Sequence, residues 1–264
     1  MNAKKDLTDV TFLIPVRIDS MDRLENLEMV LDFLFINFDT NVYVLEASTI
    51  NNNYISKLFP KIDKVIYVED FDPIYCKTKY VNQLVRACQT QYLSVWDSDA
   101  IVPPNQIEDS VKMLREKKAD FVLPYEKNLF DTTKIIRDLY YQNRDINFLT
   151  NNCSKMKNMY PPISVGGGYF ANRKSYIESG IENTNFYGWG LEDGERLHRW
   201  DILGYKTERT LGNMFHLTHW RGISSNFHSK EQQNMKNVEY INISNMTKEQ
   251  LQKEVISWNH EIEH

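Results

Sequence analysis

Val10-Thr11-Phe12-Leu13-Ile14-Pro15-Val16-Arg17-Ile18-Asp19-Ser20-Met21-Asp22-Arg23-Leu24 is the stretch that decides how the chain is read. Val10 to Ile14 is a short apolar run closed by Pro15, the pattern of a strand covered on both faces in a parallel sheet. Asp19 and Ser20 suit the N-cap of a helix from about Asp22 to Asn37, in which Leu24, Leu27, Leu31 and Leu34 share one face. Further along, Val42 to Leu45 and Lys64 to Val68 read as strands, separated by a polar loop from Ser48 to Asn53 and a short helix. A helix near Thr78 to Ala87 turns Val81, Leu84 and Val85 inward, and Tyr92 to Trp96 reads as a fourth strand. This alternation predicts a Rossmann-like α/β layer, with a mixed, mostly parallel central sheet and flanking helices.

The second half is less regular. A helix is expected near Gln106 to Glu116, a strand at Phe121 to Leu123, and helical potential within the polar and aromatic stretch from Lys127 to Tyr160. Pro161-Pro162 and Gly166-Gly167-Gly168 punctuate the next segment. Thr247-Lys248-Glu249-Gln250 is a capping box ahead of Leu251, Val255, Trp258 and Ile262, which predicts a terminal amphipathic helix. With no repeat and no biased linker, the expected organisation is one domain over residues 1–225 and a helical tail over 226–264 packed on it.

Composition excludes several classes. A chain of 264 residues buries enough surface to fold without a metal or disulfide staple, and 42% hydrophobic with 25% charged residues excludes wholesale disorder. Lys and Arg number 31 against 36 Asp and Glu, so nothing suggests the basic face of a nucleic-acid binder. Cys76, Cys88 and Cys153 have no CxxC spacing and read as reduced thiols. The apolar run from Val10 to Val16 is too short for a signal peptide or a membrane span, so a cytoplasmic protein is expected. On that footing, the sequons at Asn152, Asn242 and Asn245 read as chance.

Three clusters carry chemistry. Asp97-Ser98-Asp99 directly follows the fourth strand. Ligands of open α/β sheets bind there, and oxygen ligands at alternate residues can hold a divalent cation against a diphosphate; a strand-end turn would use the same residues. In Gly188-Trp189-Gly190-Leu191-Glu192-Asp193-Gly194-Glu195, a tryptophan between glycines can face a sugar ring, and a helix is expected over Glu195 to Leu203. A carboxylate beside the ring can accept a hydroxyl proton, although acids at a helix start are also favoured by the helix dipole. His216 and His219, three apart, suit a transition metal if a turn or helix puts them on one face.

Together these clusters resemble the β-1,4-galactosyltransferase-like glycosyltransferases. The resemblance rests on DSDAIVP (Asp97 to Pro103), VGGGYFANRKSYIESG (Val165 to Gly180), NFYGWGLEDGERLHRW (Asn185 to Trp200) and HLTH (His216 to His219). It covers about Thr11 to Trp220. Its first half, IPVRIDSMDRLENL (Ile14 to Leu27), is similar only to the nucleotide-binding start of the wider GT-A superfamily.

The resemblance implies a GT-A fold and an inverting glycosyltransferase that moves Gal or GalNAc from a UDP-sugar donor to a carbohydrate acceptor with Mn²⁺ or another divalent cation. It makes Asp99, His216 and His219 the metal ligands, with His216 standing where vertebrate members carry a methionine and so expected to tighten binding. It makes Asp193 the catalytic base, Glu192 the acceptor-contacting acid and Trp189 the sugar-facing ring. Tyr187 replaces a further tryptophan, and Gly194 and Glu195 replace two further acids. Asp97 is assigned to ribose or donor sugar. Pro15, Arg17 and Asp19 fall in the nucleotide-binding start, and Lys79 lies within CKTKYVNQ (Cys76 to Gln83), where the family has a basic residue. Gly167 and Gly168 belong to the glycine stretch at the donor, and Val165 falls at the position that crowds or frees C2 of the donor sugar. The alternative is a GT-A module that binds glycan or nucleotide without catalysis. A two-metal phosphoesterase would need more ligands than the sequence offers.

Overall fold

The computed structural model describes residues 3–222 and 226–260. In chain order the elements are β1 (Lys5–Val16), α1 (Met21–Asn37), β2 (Phe38–Ser48), α2 (Tyr54–Leu58), β3 (Lys64–Glu69), α3 (Lys77–Ala87), β4 (Tyr92–Trp96), β5 (Ala100–Ile101), α4 (Pro104–Arg115), β6 (Phe121–Leu123), β7 (Leu129–Asp131), α5 (Lys134–Asn143), α6 (Ile146–Asn151), β8 (Lys157–Met159), β9 (Gly168–Asn172), α7 (Arg173–Glu178), α8 (Glu192–Leu203), β10 (Thr207–Arg209), β11 (Met214–His216), α9 (Lys230–Ser244) and α10 (Lys248–His260).

Seven strands form the central sheet in the order β10-β6-β9-β4-β1-β2-β3. Only β9 runs antiparallel to its neighbours. The sheet is covered on both faces, which is why β1 reads as an unbroken apolar run. Val10, Phe12 and Ile14 join one core with Leu27, Val30, Leu31 and Leu34 of α1. Leu13 points the other way, into a core with Tyr80, Val81, Leu84 and Val85 of α3. Ser20 caps α1 by accepting a hydrogen bond from the Arg23 N–H. On the second face, the rings of Trp200 (α8) and Phe121 (β6) stack 3.7 Å apart.

A smaller four-stranded sheet, β5-β11-β7-β8, stands at the carboxyl end of β4. The stretch from Lys127 to Tyr160, expected to be partly helical, supplies two of its strands as well as α5 and α6. α9 and α10 pack on α8, with Leu203, Ile243, Leu251 and Val255 buried between them. The expected capping box forms: Thr247 Oγ1 accepts from the Gln250 N–H and Gln250 Oε1 accepts from the Thr247 N–H. Ile262 lies outside the described residues. No helix among the described residues is long and apolar enough to cross a membrane.

Candidate active site

The two sheets meet at Asp99. β4 ends at Trp96, the chain turns through Asp97-Ser98-Asp99, and β5 then pairs antiparallel with β11, placing Ala100 opposite His216. The Leu217 N–H donates to the Asp99 carbonyl at 2.7 Å and locks this junction. As a result Asp99 Oδ2 lies 3.2 Å from His219 Nε2 and 3.7 Å from His216 Nε2. The neighbouring parallel pair β11–β7 sets Asp131 beside His216, and their Oδ1 and Nδ1 atoms are 2.8 Å apart. His219 Nδ1 is 2.7 Å from the Trp220 carbonyl. Both outer nitrogens thus face acceptors, and both Nε2 atoms face Asp99.

One ligand atom from each of Asp99, His216 and His219 lies within 4.8 Å of the others. A carboxylate with two imidazoles, each braced on its far nitrogen, fits a divalent first-row metal in both donor type and support. The electrostatics agree. Burial alone would raise the Asp99 carboxyl, yet His216 and the hydrogen bond from His219 hold it well below the usual carboxylate range. Burial opposes charging His216, but Asp99 and Asp131 outweigh it and raise its pKa.

Across the cleft, α8 begins at Glu192, three residues earlier than the sequence suggested, so Glu192 and Asp193 occupy its first turn. Asp193 Oδ1 accepts from Arg196 Nη2 at 2.5 Å, and Arg196 is anchored in turn on Glu182, 2.8 Å away. Glu182 also accepts from the hydroxyls of Tyr169 and Tyr176. The other oxygen, Asp193 Oδ2, faces Gly166 so closely that a Cβ there would sit 2.8 Å from it. Glu192 differs: its Oε2 is buried and has no hydrogen-bond partner among the described residues. Burial, with the charge of Asp193, pushes its carboxyl up to about 7.

The same cleft is lined by Pro15, Arg17, Asp19, Asp97, Asp99, Gly167, Trp189, Glu192, Asp193, His216 and His219. Arg17 is held there by the Asp72 carbonyl at 2.8 Å and by an ion pair with Asp70. Asp97 forms an ion pair with Lys77 rather than joining the histidines.

Four expected positions fall elsewhere. Lys79 is exposed, with its ammonium over the Tyr80 ring, and the lysine of α3 that lines the cleft is Lys77, its first residue. Val165 packs against the larger core, so Gly166 and Gly167 line the cleft in its place. Gly168 is buried in β9, where a Cβ would meet Trp96 at 2.8 Å. Tyr187 stands outside the lining and donates from its hydroxyl to Asp72 at 2.5 Å.

Sequence reasoning did not find Lys77, Asp131, Gly166, Arg196, Tyr160 or Arg221. The last two line the cleft near Trp189, whose ring centroid is 6.4 Å from that of Tyr160. The acid of Asp131 is the one with a legible signal, since it stands in a short polar-ended strand, but only the register with His216 gives it a role.

No protein-family model and no curated protein matches the sequence. Solved structures do. The chain is similar to the mannosyltransferase PcManGT from Pyrobaculum calidifontis, in complex with GDP-Man and Mn²⁺, with a TM-score of 0.51 and 18% identity over 81% of this chain; it spans 58% of that protein's length. It is similar to glucosyl-3-phosphoglycerate synthase from Mycobacterium tuberculosis, in complex with Mn²⁺, UDP and phosphoglyceric acid, with a TM-score of 0.53 and 15% identity over 90% of this chain and 78% of that one. It is also similar to the catalytic domain of Drosophila β1,4-galactosyltransferase 7, in complex with xylobiose, with a TM-score of 0.51 and 14% identity over 88% of this chain and 79% of that one. These neighbours are GT-A glycosyltransferases, and the mixed α/β architecture of this chain is the GT-A fold of nucleotide-sugar transferases.

Proposed function

We propose that this chain is a metal-dependent, inverting glycosyltransferase that moves a galactosyl or N-acetylgalactosaminyl group from a UDP-sugar to a hydroxyl of a carbohydrate acceptor. The observation that carries the reading is the convergence, in one cleft, of the Asp99–His216–His219 cluster with the Glu192–Asp193 pair. Structural neighbours bound to Mn²⁺ and to UDP or GDP-Man support the metal and the donor class, and the neighbour bound to xylobiose supports a carbohydrate acceptor.

Asp99, His216 and His219 would hold Mn²⁺ or another divalent cation, which when bound offsets the charge that develops on the departing diphosphate. Pro15, Arg17 and Asp19 form the wall where the nucleotide lies, and Asp97, fixed by Lys77, faces ribose or donor sugar. Trp189 offers its ring to the acceptor, and Glu192 contacts an acceptor hydroxyl. The attacking hydroxyl forms its bond to the anomeric carbon while the bond to the diphosphate breaks, the electron pair leaving on UDP. Asp193 takes the hydroxyl proton. Arg196 fixes one oxygen of that carboxylate, so the oxygen over Gly166 is the acceptor of the proton. One displacement from the opposite face inverts the anomeric configuration, with no covalent intermediate.

UDP release from UDP-Gal and UDP-GalNAc, with p-nitrophenyl β-glycosides as acceptors and with Mn²⁺ or EDTA, tests the reading. Metal-dependent release that Asp99→Ala abolishes is expected. A rise in melting temperature with UDP and Mn²⁺, without turnover of either donor, would instead establish the non-catalytic binding module.

A further inference from the structure

α9 reaches the cleft through polar side chains. Gln232 and Lys236 are buried at 9% and 2% exposure, while Met235, Val238 and Ile241 on its other side are 66%, 56% and 55% exposed. This reverses the usual amphipathic arrangement of a surface helix. The two buried polar side chains share a target, the segment that carries Trp189, while Ile243 at the end of the helix packs with Leu203, Leu251 and Val255. Lys236 Nζ donates to the Trp189 carbonyl at 2.6 Å. Gln232 Nε2 donates to the Tyr187 carbonyl at 3.1 Å, and its Oε1 accepts from the His228 N–H at 2.9 Å. Further along the helix, Glu239 accepts from the side-chain amides of Asn183 and Asn185 at 2.7 and 3.0 Å.

The segment needs such anchors. Gly188, Gly190 and Leu191 all have left-handed φ, of 75°, 104° and 74°, so no regular ladder holds their backbone. The Trp189 indole lines the cleft and meets the Phe227 ring edge-on at 5.4 Å. Holding the carbonyl of Trp189 from behind fixes where that indole stands. Lys236 is also costly to the fold. Among the described residues its ammonium has no carboxylate in ion-pair contact, and burial lowers its pKa. Methionine would fill the same space without that cost, but would leave the Trp189 carbonyl without its donor.

We propose that Gln232 and Lys236 are positioning residues for the acceptor: α9 holds the Trp189 ring in the orientation that meets a carbohydrate acceptor, a role that rests on the glycosyltransferase reading. The test uses Lys236→Met and Gln232→Met in the full chain, and Gln232→Met carries it alone should Lys236→Met not fold.

Amide exchange in peptides covering residues 186–192 should quicken by about tenfold or more, with β4 unchanged. Lys236→Met should melt within a few degrees of the parent, because relief of the buried charge offsets the donor lost to the Trp189 carbonyl. The KM for p-nitrophenyl β-glucoside or β-N-acetylglucosaminide should rise by about tenfold, while hydrolysis of the UDP-sugar by water stays within about twofold. A lysine with only a structural role would give the reverse: a lower melting temperature, with hydrolysis and transfer falling together. Unchanged exchange at 186–192 in both variants overturns the proposal, whether or not the protein transfers sugar. Quickened exchange in a protein that turns over neither donor supports the anchoring by α9 and overturns the glycosyltransferase reading instead.

Discussion

His216 Nδ1 lies 2.8 Å from Asp131 Oδ1, and the two residues are register partners in adjacent parallel strands. The contact fixes both the tautomer and the plane of the imidazole whose other nitrogen faces Asp99. A carboxylate behind a ligating histidine raises its basicity as a donor and prevents the ring from turning away. Asp131→Ala should therefore weaken Mn²⁺ binding by roughly 10- to 100-fold, read by titration with Mn²⁺, while the melting temperature of the metal-free protein moves little. An unchanged affinity would show that the β11–β7 pairing does not support the site.

Gly166 tests the placement of Asp193 without touching either carboxylate. Its φ is not left-handed, so alanine costs no backbone strain, yet the added Cβ would stand 2.8 Å from Asp193 Oδ2. With its other oxygen held by Arg196, the carboxylate can yield only by rotating off its position. Gly166→Ala is expected to lower kcat by about 10- to 100-fold, since small displacements of a catalytic group are expensive. UDP and Mn²⁺ binding, measured by calorimetry, should be retained. Full activity in this variant would remove Asp193 Oδ2 from the reaction.

The parts of this structure legible in the sequence are those whose cause is local. Tyr92 to Trp96 and Phe121 to Leu123 are read to the residue, because strands buried on both faces are apolar throughout. The Lys127 to Tyr160 stretch is not, because β7 and β8 exist through distant pairings with β11 and with each other. Asp131 gains its role at the site only through the same distant pairing, with His216. Lys77 and Lys79 differ by two helical positions, which lie on opposite sides of α3, so placing the cleft lysine requires knowing that the helix begins at Lys77. α9 is hard to read because its inward face is polar over most of its length, with Ile243 apolar at the end, while Met235, Val238 and Ile241 are exposed, so it lacks the amphipathic stripe by which helices are found.

Glu192 gives the pH dependence. Its carboxyl is pushed up from 4.5 to about 7 by burial and by Asp193. A raised carboxyl means that the folded protein binds the proton more tightly than the unfolded chain. Stability from this group is therefore fully present below about pH 4.5 and is lost as pH climbs through about 7. Glu192→Gln removes the titration. Chemical denaturation should find the variant more stable than the parent by roughly 3 kcal/mol at pH 8.5, and close to it at pH 4.5. A difference that is constant across this range would mean that Glu192 is ionised throughout.

Asp193 is assigned the acceptor proton, and its removal has a signature separable from loss of binding. Asp193→Asn keeps the side-chain volume and can keep a hydrogen bond from Arg196, but it cannot take a proton at neutral pH. Loss of a general base typically costs about 10²- to 10⁴-fold in rate. The variant should show that fall in kcat, with KM for the UDP-sugar and the melting-temperature rise on adding UDP and Mn²⁺ both preserved. The stereochemistry of the wild-type product decides the rest: NMR of the first product formed should show the anomeric configuration inverted relative to the donor. A retained configuration would require a second displacement or a front-face attack. In neither case could a single carboxylate on α8 serve as the base of one direct transfer.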